Sequence, residues 1–218
     1  MKNIVILISG RGSNMQAILE GILEAKLEAK LPLNIAAVIS NKADAGGLEI
    51  ARQLGVPTVV LSHRDYPDRE AFDTALAAKI DECSADLVVL AGFMRILTPG
   101  FVEHYRDRLI NIHPSLLPAF TGLDTHARAL AEGVKVHGCT VHFVTNELDH
   151  GPIIVQAAVP VFPDDSPETL AARVLVQEHQ IYLAALRWFA EERLEIRANG
   201  TVTVKGAAAS TEVLRSPC

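Results

Sequence analysis

Cysteine is scarce in this chain. There are three in 218 residues, Cys83, Cys139 and Cys218, and no two form a CxxC pair. Odd in number and far apart, they exclude a disulfide framework and a zinc-finger site, and they suit a reducing compartment. Long apolar runs are also missing. The first, Ile4-Val5-Ile6-Leu7-Ile8, stops at Ser9-Gly10-Arg11-Gly12, and no uncharged run reaches the ~18 residues of a membrane span. Excess positive charge is absent as well: 20 Lys and Arg stand against 26 Asp and Glu, a net charge of −6. An acidic chain has no general attraction for nucleic acid or anionic lipid, so any anion must be held by a local device. HExxH and comparable metal-ligand spacings do not occur, and no metal is expected. These absences lead us to expect a cytoplasmic protein that works on small molecules, with no nucleic-acid or membrane partner.

What is present is an ordinary globular composition, 49% hydrophobic and 21% charged. A chain of this length buries roughly 70% of its unfolded surface and can build a core without staples. The β-branched run at 4–8 reads as a parallel strand covered on both faces. A helical pattern follows from Met15 to about Glu28. Strands are expected at 34–40, 57–61, 87–90 and 109–113, and helices at 47–54, 68–83 and 99–105. Strand–helix alternation predicts an α/β fold with a mostly parallel, doubly wound, Rossmann-like sheet.

Past Pro114 the pattern changes. Residues 115–124 read as irregular and 125–132 as helical. Two strand-like runs, 136–144 and 153–162, predict an antiparallel C-terminal extension. Ser166-Pro167 marks a helix start, with Ser166 as N-cap, running to Trp188 or beyond. Its apolar face is expected to carry Leu170, Val174, Ile181, Ala185 and Trp188. A hairpin through Asn199-Gly200 is expected within 194–204. Nothing marks a domain boundary, so 1–205 reads as a single domain and 206–218 as a disordered tail.

Three local patterns could carry chemistry. Gly10-Arg11-Gly12-Ser13-Asn14 follows a strand and opens a helix, where backbone N–H groups can hold an anion. The dinucleotide fingerprint needs glycine where Met15 stands, and the Walker A pattern is absent. One phosphate monoester fits this turn better than NAD or ATP. The competing reading is a plain tight turn with Ser13 or Asn14 as N-cap. The second pattern is Asn111-Ile112-His113-Pro114. Residues two apart share a face of a strand, and ligands gather outside the carboxyl ends of parallel strands. There, Asn111 could donate to an oxyanion and His113 could transfer a proton; a structural pair is the competing reading. Most of the eight histidines must be bystanders, and His137 and His142 fall on opposite faces of one strand. The third is the acidic loop 145–152. Spacing alone does not bring Asp149 to His113. Beside it, Asp149 would favour the charged ring; otherwise Glu147 and Asp149 are solvated turn residues.

Several phrases extend these patterns: Ser40-Asn41-Lys42-Ala43-Asp44, Leu90-Ala91-Gly92-Phe93-Met94-Arg95-Ile96-Leu97, 111–118, 137–144, Leu148-Asp149-His150-Gly151-Pro152 and Gln177-Glu178-His179. Together, from Lys2 to about Leu194, the sequence resembles the folate-dependent glycinamide ribonucleotide formyltransferases of purine biosynthesis. That resemblance implies a nucleotide-binding half of about 1–110 and a folate-binding, catalytic half of about 111–205. It implies that 10-formyltetrahydrofolate, a co-substrate, gives its formyl group to the amine of glycinamide ribonucleotide. Gly12, Ser13, Asn14 and Glu178 would hold the ribonucleotide. Arg69, Met94, Arg95, Ile96, Leu97, Asn111, Thr145, Asn146, Glu147, Leu148 and Asp149 would bind the folate. Asn111, His113 and Asp149 would be catalytic. Monomer and homodimer both stay open.

Related formyl-group enzymes are the alternatives. Methionyl-tRNA formyltransferase is expected to need a further tRNA-holding domain, and the hydrolase of the same donor an extra N-terminal domain. Sugar-nucleotide formyltransferases share the catalytic trio but lack this form of the glycine-rich turn.

Overall fold

Five consecutive side chains with no exposed surface, Ile4 to Ile8, can be accommodated only by a strand covered on both faces. In the computed structural model, which describes residues 1–27 and 31–207, they lie in β1 (Lys2–Ile8). Burying each side chain contributes about 1.5–3 kcal/mol. Around β1 stand the parallel strands β2 (Leu33–Ser40), β3 (Thr58–Val60), β4 (Leu87–Leu90) and β5 (Leu109–His113). Seven strands form one sheet in the order β3-β2-β1-β4-β5-β6-β7, and β6 (Val136–Phe143) and β7 (Ile153–Pro160) are antiparallel. A separate two-stranded sheet pairs β8 (Leu194–Ile196) with β9 (Val202–Val204) through the expected Asn199-Gly200 turn.

The chain forms two compact units, 1–111 with 143–146, and 112–142 with 147–218. In the first, helices cover both faces of the sheet. Val5 and Leu7 pack with Phe72, Leu76 and Ile80 of α3 (Arg69–Glu82) and with Phe101, Val102 and Tyr105 around α4 (Pro99–His104). Ile8 points the other way, toward Met15 of α1 (Ser13–Leu27) and Gly47 of α2 (Gly46–Gln53). This is the doubly wound arrangement that alternation predicts. The caps are written in the sequence: the Asp68 carboxylate accepts from Ala71 N–H at 2.8 Å and opens α3.

The second unit contains β6, β7, α5 (Thr125–Ala131) and α6 (Pro167–Ala190). Ser166 caps α6 as expected, and Thr169 completes a reciprocal capping box with it. The buried face of α6 carries Leu170, Val174, Ile181 and Ala185, together with Glu178, Tyr182 and Leu186. Trp188 is only half-buried, so the expected face is corrected there; Leu186 and Ala190 fill the last turns. The expected end of α1 at Glu28 and most of the expected 206–218 tail lie outside the described residues.

Gly138 of β6 sits where a Cβ would fall 1.9 Å from the Ala157 carbonyl oxygen of β7. The obstacle is backbone and cannot rotate away. Gly138→Ala should therefore lower stability by about 3 kcal/mol. A urea midpoint equal to the wild type would refute the close approach.

Candidate active site

Strand order in the first unit reverses between β1 and β4, since β2 and β3 lie on one side and β5 on the other. At such a switch point the loops leave in opposite directions and open a crevice outside the strand carboxyl ends. A cavity of about 350 Å³ occupies that place, lined by Ser9 to Asn14 after β1, Ala91, Gly92 and Met94 after β4, and Lys42 after β2.

The turn that builds the cavity depends on two glycines. Gly12 has φ +78°, and a Cβ on it would fall 2.9 Å from Cα of Gly47. A Cβ on Gly47 would in turn meet Ile8 Cδ1 at 2.7 Å. The Gly47 N–H also donates to the Gly10 carbonyl at 3.1 Å. The helix α1 begins at Ser13, so Ser13 and Asn14 occupy its first turn. The first-turn N–H groups of a helix have no intrahelical acceptor and favour an anion. Two cations, Arg11 and Lys42, line the same cavity, and neither side chain forms an ion pair among the described residues. In an acidic chain this gathers positive charge locally at the cavity. Lys42 was not expected in it. Its phrase, Ser40 to Asp44, was conspicuous in the sequence, but nothing local showed that β2 ends beside β1.

In the second unit, His113 ends β5 and is 5% exposed. Its Nε2–H donates to the Phe120 carbonyl at 2.9 Å, and its Nδ1 lies 3.4 Å from Oδ2 of Asp149. Asp149 is 9% exposed. The same carboxylate oxygen accepts from Gly122 N–H at 2.8 Å. A backbone carbonyl and a carboxylate thus flank the ring, one at each nitrogen. The backbone carrying these partners is strained: Phe120, Asp124 and Asp149 have φ of 53°, 55° and 53°. Left-handed non-glycine residues of this kind cost of order 1 kcal/mol each and cluster at functional sites. Asn111 lies two residues before His113 on the same strand, so the two share a face.

Two further histidines, His126 and His137, lie near His113. His137 makes an edge contact with His126, ring centroids 5.2 Å apart. Burial first, and then His126, pushes His137 down to about 4, so it is neutral at physiological pH. His126 is lowered too, mainly by burial. Glu178 on α6 is 7% exposed. Burial, with the Glu178 charge second, pushes the Cys139 thiol up to about 12, which leaves it unreactive.

The remaining expected residues are split between the units. Arg69 is exposed at the first position of α3, and Met94 and Ile96 are exposed at 70% and 62%. The Arg95 guanidinium lies 4.9 Å from the centre of the Phe72 ring, and Leu97 packs on the core. Thr145 and Asn146 belong to the first unit and are exposed. Glu147 and Leu148 belong to the second and are also exposed. The Phe120 carbonyl and the Gly122 N–H are partners that sequence reasoning missed, because backbone groups leave no side-chain signal. No group of three or more His, Cys, Asp or Glu residues arranged to hold a metal occurs among the described residues, and no helix among them is long and apolar enough to cross a membrane.

The chain combines a doubly wound sheet, a glycine-rich turn at its switch point and a buried His–Asp pair at a strand end. It belongs to the formyl transferase family, whose model matches residues 2–186. Among individual relatives, it is 54% identical to phosphoribosylglycinamide formyltransferase of Escherichia coli (strain K12), over 90% of this chain and 91% of that one. It is 45% identical to the trifunctional purine biosynthetic protein adenosine-3 of Homo sapiens, over 91% of this chain and 19% of that protein. The solved structure of glycinamide ribonucleotide transformylase 1 from Symbiobacterium toebii is 50% identical and superposes with a TM-score of 0.89, covering 94% of each chain.

Proposed function

We propose that this protein transfers the formyl group of 10-formyltetrahydrofolate to the amine of glycinamide ribonucleotide, giving formylglycinamide ribonucleotide and tetrahydrofolate. The observation that carries this reading is the buried pairing of His113 with Asp149 in a member of the formyl transferase family. The anion turn supports a ribonucleotide acceptor, because it offers one phosphate site and no dinucleotide fingerprint.

The chemistry follows from the residue types. The amine attacks the formyl carbon and a tetrahedral oxyanion forms. The Asn111 amide and protonated His113 stabilise that charge, at about 3–4 kcal/mol per donor. The bond from the formyl carbon to the folate nitrogen then breaks. His113 supplies a proton to that nitrogen, and the attacking amine releases one to solvent, from which the ring is reprotonated. Asp149 keeps the ring charged and oriented. Gly12, Ser13, Asn14 and Glu178 hold the ribonucleotide. Arg69, Met94 to Leu97, Asn111 and the 145–149 loop hold the folate. On this reading 1–205 act as one domain, in the cytoplasm, on free small molecules, as a monomer or homodimer.

The direct test mixes purified protein with the donor and glycinamide ribonucleotide and follows folate absorbance. No turnover by folded protein overturns the reading. Ser13→Ala should raise the KM for ribonucleotide by ~10-fold, the size of one lost hydrogen bond to a charged group, and leave the donor KM unchanged. A rise confined to the donor KM would reverse the assignment of the turn.

A further inference from the structure

We propose that Ser9 and Asn41 are positioning residues that lock the anion turn and the Met94 segment into one surface, so that the sites for the two substrates are set together. The identity of those substrates rests on the function proposed above; the coupling itself rests on geometry.

Ser9 is the first residue past β1, at the switch point of the sheet. Its N–H donates to the Gly92 carbonyl at 3.1 Å. Its hydroxyl donates to Asn41 Oδ1 at 2.6 Å and accepts from the Met94 N–H at 2.9 Å. One hydroxyl therefore ties together the segments leaving β1, β2 and β4. Ser9 is 4% exposed and Asn41 3% exposed, so water does not substitute for either partner. Asn41 is anchored on its far side, with its Nδ2 3.3 Å and its carbonyl oxygen 3.2 Å from Nδ1 of His63.

The two segments that Ser9 joins have separate expected ligands. The turn that follows it, 10–14, is the anion device, and Met94 opens the 94–97 segment assigned to the folate. The turn and Met94 line the same cavity. A hydroxyl has one proton. When that proton goes to Asn41, a lone pair is left for the Met94 N–H, and the orientation of Asn41 thus fixes the direction of the whole relay. Removing the hydroxyl leaves the buried Asn41 oxygen without its donor and the part-buried Met94 N–H without its acceptor, and the two segments are free to shift relative to each other.

The test uses Ser9→Ala, Asn41→Ala, the double variant and Ser9→Cys, which keeps a weak S–H donor at the same place. Steady-state kinetics should show the KM for both substrates raised about tenfold in Ser9→Ala and in Asn41→Ala. The double variant should be no worse than either single one, because both remove one linkage. Ser9→Cys should fall between these and the wild type. The proposal is overturned if thermal stability drops while both KM values hold, if only one KM rises, or if the two substitutions add. Should Ser9→Ala fail to fold, Ser9→Cys is judged by the same two KM values. If the wild type turns over neither substrate, the functional reading fails separately. Calorimetry of inorganic phosphate and of tetrahydrofolate on the same variants then decides the coupling: both affinities weaken together, or the proposal falls.

Discussion

His113→Ala should lower kcat by about two to four orders of magnitude, the range attached to a positioned acid–base group. The substitution removes the proton donor and one of the two hydrogen-bond donors proposed to face the oxyanion. The ribonucleotide KM should change little, because the 10–14 turn keeps its own hydrogen bonds and its helix N-terminus. Stability falls as well, for a separate reason. The Asp149 carboxylate, 9% exposed, keeps the Gly122 N–H but loses the ring, and the Phe120 carbonyl loses its donor. Leaving a buried acceptor without its donor costs about 1–3 kcal/mol. The two effects can be separated. Adding Asp149→Asn to His113→Ala removes the stranded charge, so melting temperature should recover part of the loss while kcat stays low. A kcat that recovers with stability would show that His113 acts through the fold and not on the reaction.

The sequence made legible whatever is encoded along a single element. Ile4 to Ile8 carry no polar residue because both faces of β1 are covered, and that run alone announces a parallel strand. Ser166-Pro167 starts α6 with chemistry that only a helix N-terminus needs. Asn111 and His113 share a face because the period of a strand is two. What escaped was set by the path of the chain between elements. Asp149, at φ 53°, stands 3.4 Å from His113, a proximity that no spacing along the chain reveals. Gly12 meets Gly47, and Lys42 joins the cavity, because β2 lies beside β1 in the sheet. Trp188 was assigned to the buried face by helical period, yet Tyr182, Leu186 and Ala190 cover that ground. The glycine-rich turn lay between these cases. Its position was legible and its lack of a dinucleotide fingerprint was legible, but the reason Gly12 must be glycine is a backbone on another helix.

Asp149→Asn isolates charge from structure more cleanly than any other substitution in the site. One oxygen, Oδ2, both accepts from the Gly122 N–H at 2.8 Å and faces His113 Nδ1 at 3.4 Å. An asparagine oxygen in that place keeps the Gly122 contact and the shape of the side chain beside the ring. The backbone is kept too, because asparagine tolerates the left-handed conformation at φ 53° better than most residues. Only the negative charge beside the ring is lost. With it goes the preference for the charged imidazole that the proposed oxyanion and proton-transfer steps require, and kcat should fall about 100-fold or more. The melting temperature should stay close to the wild type. Asp149→Ala should lose as much kcat and, in addition, about 1–3 kcal/mol of stability, since the Gly122 N–H is then buried without an acceptor. The contrast between the two variants is the measurement. If Asp149→Asn holds kcat within twofold of the wild type, the carboxylate serves the Gly122 hydrogen bond alone, and the catalytic charge on His113 must be maintained by other groups.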